Sequence, residues 1–236
     1  MKIQYLGDYR DAFKWDLLHW ACTRSSPTFC RLVFVPLLTL DDPVPRDGQM
    51  PHERFEARDF IHAFVAELRR APRDIRRVAQ LGTQDGETSF NVSIHAPHRI
   101  VPDHTARPKY WENFDPRSLD DCIVFLDPDN GFEIKTQRGG KWVLDAEIRW
   151  LLETLPSSSA IVVYQHWPHR AWPTVFAELA RRLSFAPFLC AVHDHTLAFV
   201  ALSRNADAFG RLERAFHAYA AAHPKVKYAE IRSLGA

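Results

Sequence analysis

The run Cys122-Ile-Val-Phe-Leu-Asp127-Pro128-Asp129-Asn130-Gly131-Phe132-Glu133 constrains the fold more than any other stretch of this chain. A short apolar run of β-branched and aromatic residues reads as a buried strand. Its polar tail packs carboxylates, an amide and a glycine directly behind it. In an open parallel sheet, ligands sit just outside the carboxyl ends of the strands. The stretch therefore predicts an acidic site at the end of a central strand. Asp, Pro, Asn and Gly also make ordinary strand-exit turns, but such a turn needs neither Glu133 nor this density of acids.

The remaining pattern alternates. Helices are predicted over 8–20, 52–70, 145–155, 173–183 and 206–222. Strands are predicted over 31–40, 77–82, 90–101, 122–126, 160–164, 187–192 and 196–202, with a long loop over 102–120. Strands alternating with helices imply an α/β fold, a mostly parallel sheet with helices on both faces in three layers. Only His193, Asp194 and His195 separate the last two strands, so an antiparallel edge hairpin is expected. With 236 residues, 46% of them hydrophobic, one α/β domain over 1–236 is expected. A net charge of +1 gives no global signature of a nucleic-acid binder, although local patches can still serve one. Cys22, Cys30, Cys122 and Cys190 show no CxxC spacing and read as reduced thiols of a cytoplasmic protein. The first residues lack the apolar core of a secretory leader, and no stretch approaches a membrane span.

Two further clusters accompany the first. Ala160-Ile-Val-Val-Tyr164 runs into Gln165-His166-Trp167-Pro168-His169-Arg170. If strands 122–126 and 160–164 are parallel neighbours, Asp127, Asp129, Asn130 and Glu133 face Gln165, His166 and Arg170 across one crevice. A lone His166 would read as a hydrogen-bonded structural histidine. The third cluster is Gly7-Asp8-Tyr9-Arg10-Asp11-Ala-Phe-Lys14-Trp15. Asp8 suits a helix N-cap, and Gly7, Asp8, Arg10, Asp11 and Lys14 are together more polar than capping requires.

The third cluster resembles the amino-terminal Gly-Asn-x-x-Asp-x-x-Lys-His motif of the bacterial ribosomal-RNA adenine-N6 methyltransferases, and Asp127-Pro128-Asp129-Asn130 resembles their strand-end Asp-Pro-Pro-Tyr. The resemblance implies a Rossmann-like topology and an S-adenosylmethionine cofactor. Two departures count against that cofactor. Strand 31–40 exits into Asp41-Asp42-Pro-Val-Pro with no glycine before Gly48, and only glycine lets a backbone approach a ligand so closely. Gly82-Thr-Gln-Asp-Gly86 is a weak substitute loop, and Asp129 replaces the second proline of the motif.

Extra carboxylates suit water activation or cation stabilisation. The expected function is therefore cofactor-independent hydrolysis of a bond in a nucleotide or nucleic acid, above all the N-glycosidic bond of a flipped base in DNA, modified or not, foreign DNA included. In layout the clusters are similar in kind to those of uracil-DNA glycosylases. Asp127 or Asp129 would stabilise the sugar cation or orient water, Asn130 would position water or base, and His166 would donate to the leaving group. Asp8, Lys14, Glu133, Gln165 and Arg170 would bind substrate. A base taken out of the stack needs aromatic walls, for which Trp15, Tyr110, Trp111, Phe132, Tyr164 and Trp167 are candidates. Phosphate contacts are expected from Arg107, Lys109, Lys135, Arg138 and Lys141. The alternatives are an S-adenosylmethionine-dependent methyltransferase, a Mg²⁺ nuclease using Asp127, Asp129 and Glu133, and a non-catalytic binding module.

Overall fold

The computed structural model describes residues 1–43, 51–83, 89–134 and 139–231. The strands are β1 (Arg31–Val35), β2 (Asn91–Ile94), β3 (Cys122–Leu126), β4 (Gly131–Phe132), β5 (Trp142–Val143), β6 (Ala160–His166), β7 (Phe188–His193), β8 (Leu197–Ser203) and β9 (Lys227–Glu230). The helices are α1 (Tyr9–Arg24), α2 (Asp59–Arg69), α3 (Asp145–Thr154), α4 (Trp172–Arg182) and α5 (Ala206–Ala222).

Seven strands form one sheet in the order β2-β1-β3-β6-β8-β7-β9, and β4 and β5 form a small parallel pair beside it. Strands β2, β1, β3 and β6 run parallel. β8 is antiparallel to both β6 and β7, and β9 is antiparallel to β7. The fold is α/β in three layers. Side chains alternate along each strand, so each strand feeds two cores. Leu32, Phe34, Ile123 and Phe125 pack with α1, α2 and α5 on one face. Val33, Val35, Val124 and Leu126 pack with α3 and α4 on the other. The chain leaves β1 for β2 on one side and comes back to β3 on the other. The carboxyl ends of β1 and β3 thus flank a topological switch point, the usual place for a ligand in an open α/β sheet.

The predicted antiparallel hairpin, β7–β8, closes at Asp194, whose Oδ1 accepts from Thr196 N and Leu197 N, but it is not at the sheet edge, because β9 pairs outside β7. Other boundaries differ from expectation. Residues 77–82 are not a strand; consecutive 3-10 turns span Ile75–Thr83 and bury Ile75, Val78 and Leu81. Helix 52–70 divides into a turn at His52–Arg54 and α2. The strand expected over 31–40 ends at Val35, because Pro36 lacks the N–H to continue the ladder. Of 90–101 only Asn91–Ile94 is strand, and 3-10 turns at His104–Trp111 and Pro116–Ser118 punctuate the loop that follows. Strand β9 had no sequence signal beyond four residues of weak alternation. Among the described residues no helix is long and apolar enough to cross a membrane.

Candidate functional site

A cleft of about 240 Å³ opens over the carboxyl ends of β3 and β6 and the start of α1. The pairing Leu126↔Val163 sets the two strand exits side by side. From β3 come Asp127, Asp129 and Asn130; from β6 come Tyr164 and His166; from the α1 end come Asp8, Arg10, Asp11 and Lys14. Lys2, Tyr5, Asp42 and Lys141 complete the wall.

Helix α1 begins where Asp8 Oδ1 accepts from the backbone N–H groups of Arg10 (2.9 Å) and Asp11 (3.1 Å). The turn before it is fixed by Gly7, at φ +87°, whose N–H donates to Asp11 Oδ2 at 2.7 Å. A Cβ at Gly7 would meet the backbone N and the Cβ of Arg69, each at 2.7 Å, so only glycine lets this turn lie against the end of α2. The capped turn aims Lys14 inward. Its Nζ bridges Asp11 Oδ1 (2.7 Å) and Asp127 Oδ2 (2.8 Å), and all three residues are buried. Lys14 also lies 5.6 Å from the centroid of the Tyr164 ring, a cation–π distance.

The cleft treats its carboxylates unequally. Burial, reinforced by the nearby Asp11 charge, pushes Asp8 up to about 7. Burial also raises Asp127, with Lys14 opposing it. Burial disfavours the Lys14 ammonium, yet Asp11 and Asp127 outweigh it and hold the lysine charged. Nearer the mouth, Asp129 lies 3.3 Å from Lys2 Nζ and 3.9 Å from Lys141 Nζ. Lys2 also grips both oxygens of Asp42, to which the Tyr5 hydroxyl donates.

Gln165 locks the β3 exit to β6. Its Oε1 accepts from Phe132 N (3.0 Å), and its Nε2 donates to the carbonyls of Asn130 (3.2 Å) and His166 (2.7 Å). Gly131, at φ +122°, makes room, since a Cβ there would lie 2.3 Å from Gln165 Oε1. Tyr164 Oη and His166 Nδ1 lie 3.3 Å apart.

The segment after β1 is covered by the chain's own first residues. Leu37 takes φ 28°, a rare conformation for its side chain, and its carbonyl accepts from the Met1 amino group at 3.0 Å. Thr39 N donates to Met1 O (2.8 Å) and Gln4 N to Asp41 Oδ1 (3.1 Å). Gly82 serves packing, because a Cβ there would lie 2.0 Å from the Phe90 carbonyl. Gly48, Gly86, Lys135 and Arg138 lie outside the described residues.

Of the residues singled out in the sequence, Asp8, Arg10, Asp11, Lys14, Asp127, Asp129, Asn130, Lys141, Tyr164 and His166 meet around the cleft. The others do not line it. Trp15 is fully buried against Phe34, Phe64 and Phe125. Tyr110 and Phe132 are buried in the core on the opposite sheet face. No ring among these three can stack a substrate base. Arg107 is buried in an ion pair with Glu147 (2.6 Å), to which Trp111 Nε1 also donates, so both are held away from the cleft. Both border a separate groove beside α3. Glu133 accepts from Asp145 N at 2.8 Å, at the start of α3, and its carbonyl accepts from Arg182. Arg170 pairs with Glu178, Trp167 donates to the Arg170 carbonyl, and Lys109 is exposed away from the cleft. Gln165 acts through its hold on Asn130. Lys2, Tyr5 and Asp42 gave no signal, because neither end of the 1–42 segment looks special until it folds over β1. Asp11 and Arg10 sat within the third cluster, and Asp8's cap was the visible pointer to them.

Among the described residues, no group of three or more His, Cys, Asp or Glu side chains is arranged to hold a metal ion. The chain matches no family model and no curated protein.

Proposed function

We propose that the cleft hydrolyses the N-glycosidic bond of a base in a nucleotide or nucleic acid, with DNA as the preferred polymer and without a cofactor. The observation that carries this reading is the pair of carboxyl groups in opposite settings. Asp8 is buried and poised near neutrality, whereas Asp129 sits at the mouth between two lysines. A carboxyl group raised by burial suits the acid role, and a carboxylate at the mouth beside lysines suits charge stabilisation. Breaking an N-glycosidic bond creates a sugar cation and a basic leaving group, which call for those two roles.

In this scheme Asp8 exchanges a proton with the leaving base or the attacking water. Asp129 faces the developing cation, and His166, beside the Tyr164 hydroxyl, is a second donor. Asp127 takes a different part from the one its motif suggested. Its carboxylate is committed to Lys14, so it fixes the charge balance of the floor and does not attack. The cleft falls just below the roughly 300–1,000 Å³ typical of small-molecule sites, room for one base-sized group. Covering of the β1 exit by residues 1–5 leaves less room for a methyl donor, which weighs against the methyltransferase alternative. The scattered donor set weighs against the Mg²⁺ nuclease.

The test is incubation with a panel of modified and unmodified DNA, RNA and nucleotides, without added cofactor, followed by assay for free base and abasic sites. Base release that disappears in Asp8→Asn and Asp129→Asn supports the reading. No release across the panel, together with a higher melting temperature in S-adenosylmethionine, overturns it.

A further inference from the structure

Cations and anions crowd the cleft, and nearly all are matched. Lys2 is paired with Asp42 and Asp129, Lys14 with Asp11 and Asp127, and Lys141 approaches Asp129. Among the side-chain cations of the wall Arg10 is the exception, as Asp8 is among the acids. It lines the cleft, makes no ion pair among the described residues, and buries its Nε without a hydrogen-bond acceptor. Its guanidinium carbon lies 5.4 Å from the Tyr9 ring centroid, a cation–π distance that leaves the buried Nε without an acceptor. A buried, unsatisfied donor costs free energy, and a ligand that supplies the acceptor recovers it. A guanidinium fork matches the oxygens of an oxyanion.

The surroundings are polarised in the same sense. Arg54 approaches the Tyr9 ring at 5.5 Å, Arg69 abuts Gly7, and Arg73 is lowered by burial and by the nearby Arg69 charge. These three arginines have contacts of their own and contribute field, not the contact. The α1 side of the cleft thus sets arginines beside Asp8 and Asp11, and the β3 side carries Asp127 and Asp129 with their lysine partners.

We propose that Arg10 binds a phosphate group of the substrate, so that the cleft takes a nucleotide or a nucleic-acid strand by its phosphate and not a free nucleoside. This rests on the hydrolase reading for the identity of the ligand, and on Arg10's unmatched Nε at the cleft wall for the place.

Calorimetric titration at low salt tests it with three probes: the standard deoxynucleoside 5′-monophosphates, the corresponding nucleosides, and inorganic phosphate. Wild type should bind a monophosphate at least tenfold more tightly than its nucleoside. Arg10→Gln should erase that difference, and Arg10→Lys, which keeps the charge but loses the fork, should retain part of it. Circular dichroism confirms that each variant is folded; Arg10 is only half-buried, and both variants leave the Asp8 cap in place. A short oligonucleotide that binds tighter than the monophosphate, with a steeper salt dependence, identifies a strand phosphate as the source. Equal binding of monophosphate and nucleoside, unchanged binding in Arg10→Gln, or no binding of any probe overturns the proposal. Arg10-dependent nucleotide binding with no base release anywhere keeps the proposal and defeats the hydrolase reading. Base release indifferent to Arg10→Gln does the reverse.

Discussion

Helix α1 carries two buried acidic clusters, and they are built on opposite terms. Near its middle, Asp16 is fully buried and accepts from Arg58 Nε at 2.6 Å and from Tyr219 Oη at 2.9 Å, with His223 Nε2 at 3.4 Å. Arg58 also donates to the Asp16 carbonyl. Burial works against the Asp16 charge, but the hydrogen bonds from His223, Arg58 and Tyr219 outweigh it and hold Asp16 below the usual carboxylate range. At the amino end, Lys14 pairs with Asp11 and Asp127, and Asp8 makes no ion pair among the described residues. There burial wins, and Asp8 and Asp127 are raised. The same helix therefore holds a satisfied hub that ties α1 to α2 and α5, and an under-compensated one that opens into a cleft. Cleft carboxyls raised by desolvation beside named charges are the usual mark of chemistry.

The sharpest way to break this contrast is Asp8→Asn. In the base-release assay it should lose about 10²- to 10⁴-fold, the usual worth of a general acid or base. Asparagine keeps the N-cap acceptor, so stability should respond differently. The folded Asp8 pKa of about 7 lies above its unfolded value near 3.8, so charging it opposes folding. The resulting stability is full below about pH 4 and lost as pH rises through about 7. Melting curves at pH 8 should therefore show Asp8→Asn more stable than wild type, with the gain gone at pH 4. A pH profile shared by both proteins would refute the assignment.

Asp16→Ala should do the opposite. It leaves Arg58, Tyr219 and His223 facing a void and should cost about 3–5 kcal/mol in urea unfolding. A loss under 1 kcal/mol would mean the hub is not the staple described. Gly131→Ala should cost about 1–3 kcal/mol, since it adds a side chain at positive φ and displaces Gln165. Combined with Gln165→Ala the penalty should be less than additive, and strict additivity would show that the two do not touch. The smallest effect is His223→Gln. Burial lowers this histidine, but Asp16 outweighs it and raises its pKa. Its contribution is therefore complete below the unfolded value near 6.5 and fades as pH rises through the folded one. The substitution should cost about 1 kcal/mol at pH 5.5 and almost nothing at pH 9.

The strand ends were legible because burial on both faces leaves an uninterrupted apolar run that stops where polar chemistry starts; Leu126 and Tyr164 mark those stops. The Asp8 cap was legible for the same local reason. Aromatic residues carry no such signal. Trp15 and Phe132 sit beside polar residues in sequence yet point into the two cores, because helix phase and sheet face decide their direction. Arg107 looked like a loop cation, but its partner Glu147 lies 40 residues away, beyond any local pattern. Residues 77–82 combine strand-like composition with helical turns, since packing against β2 overrides weak propensity.

The fit between Gly131 and Gln165 has an evolutionary corollary. Neither position can drift alone: a larger residue at 131 expels the amide, and a shorter one at 165 unfastens three main-chain groups at once. In any lineage that keeps this cleft the two sites should be inherited as a unit. A homologue that has exchanged one without the other should have rebuilt the passage from β3 into its polar tail.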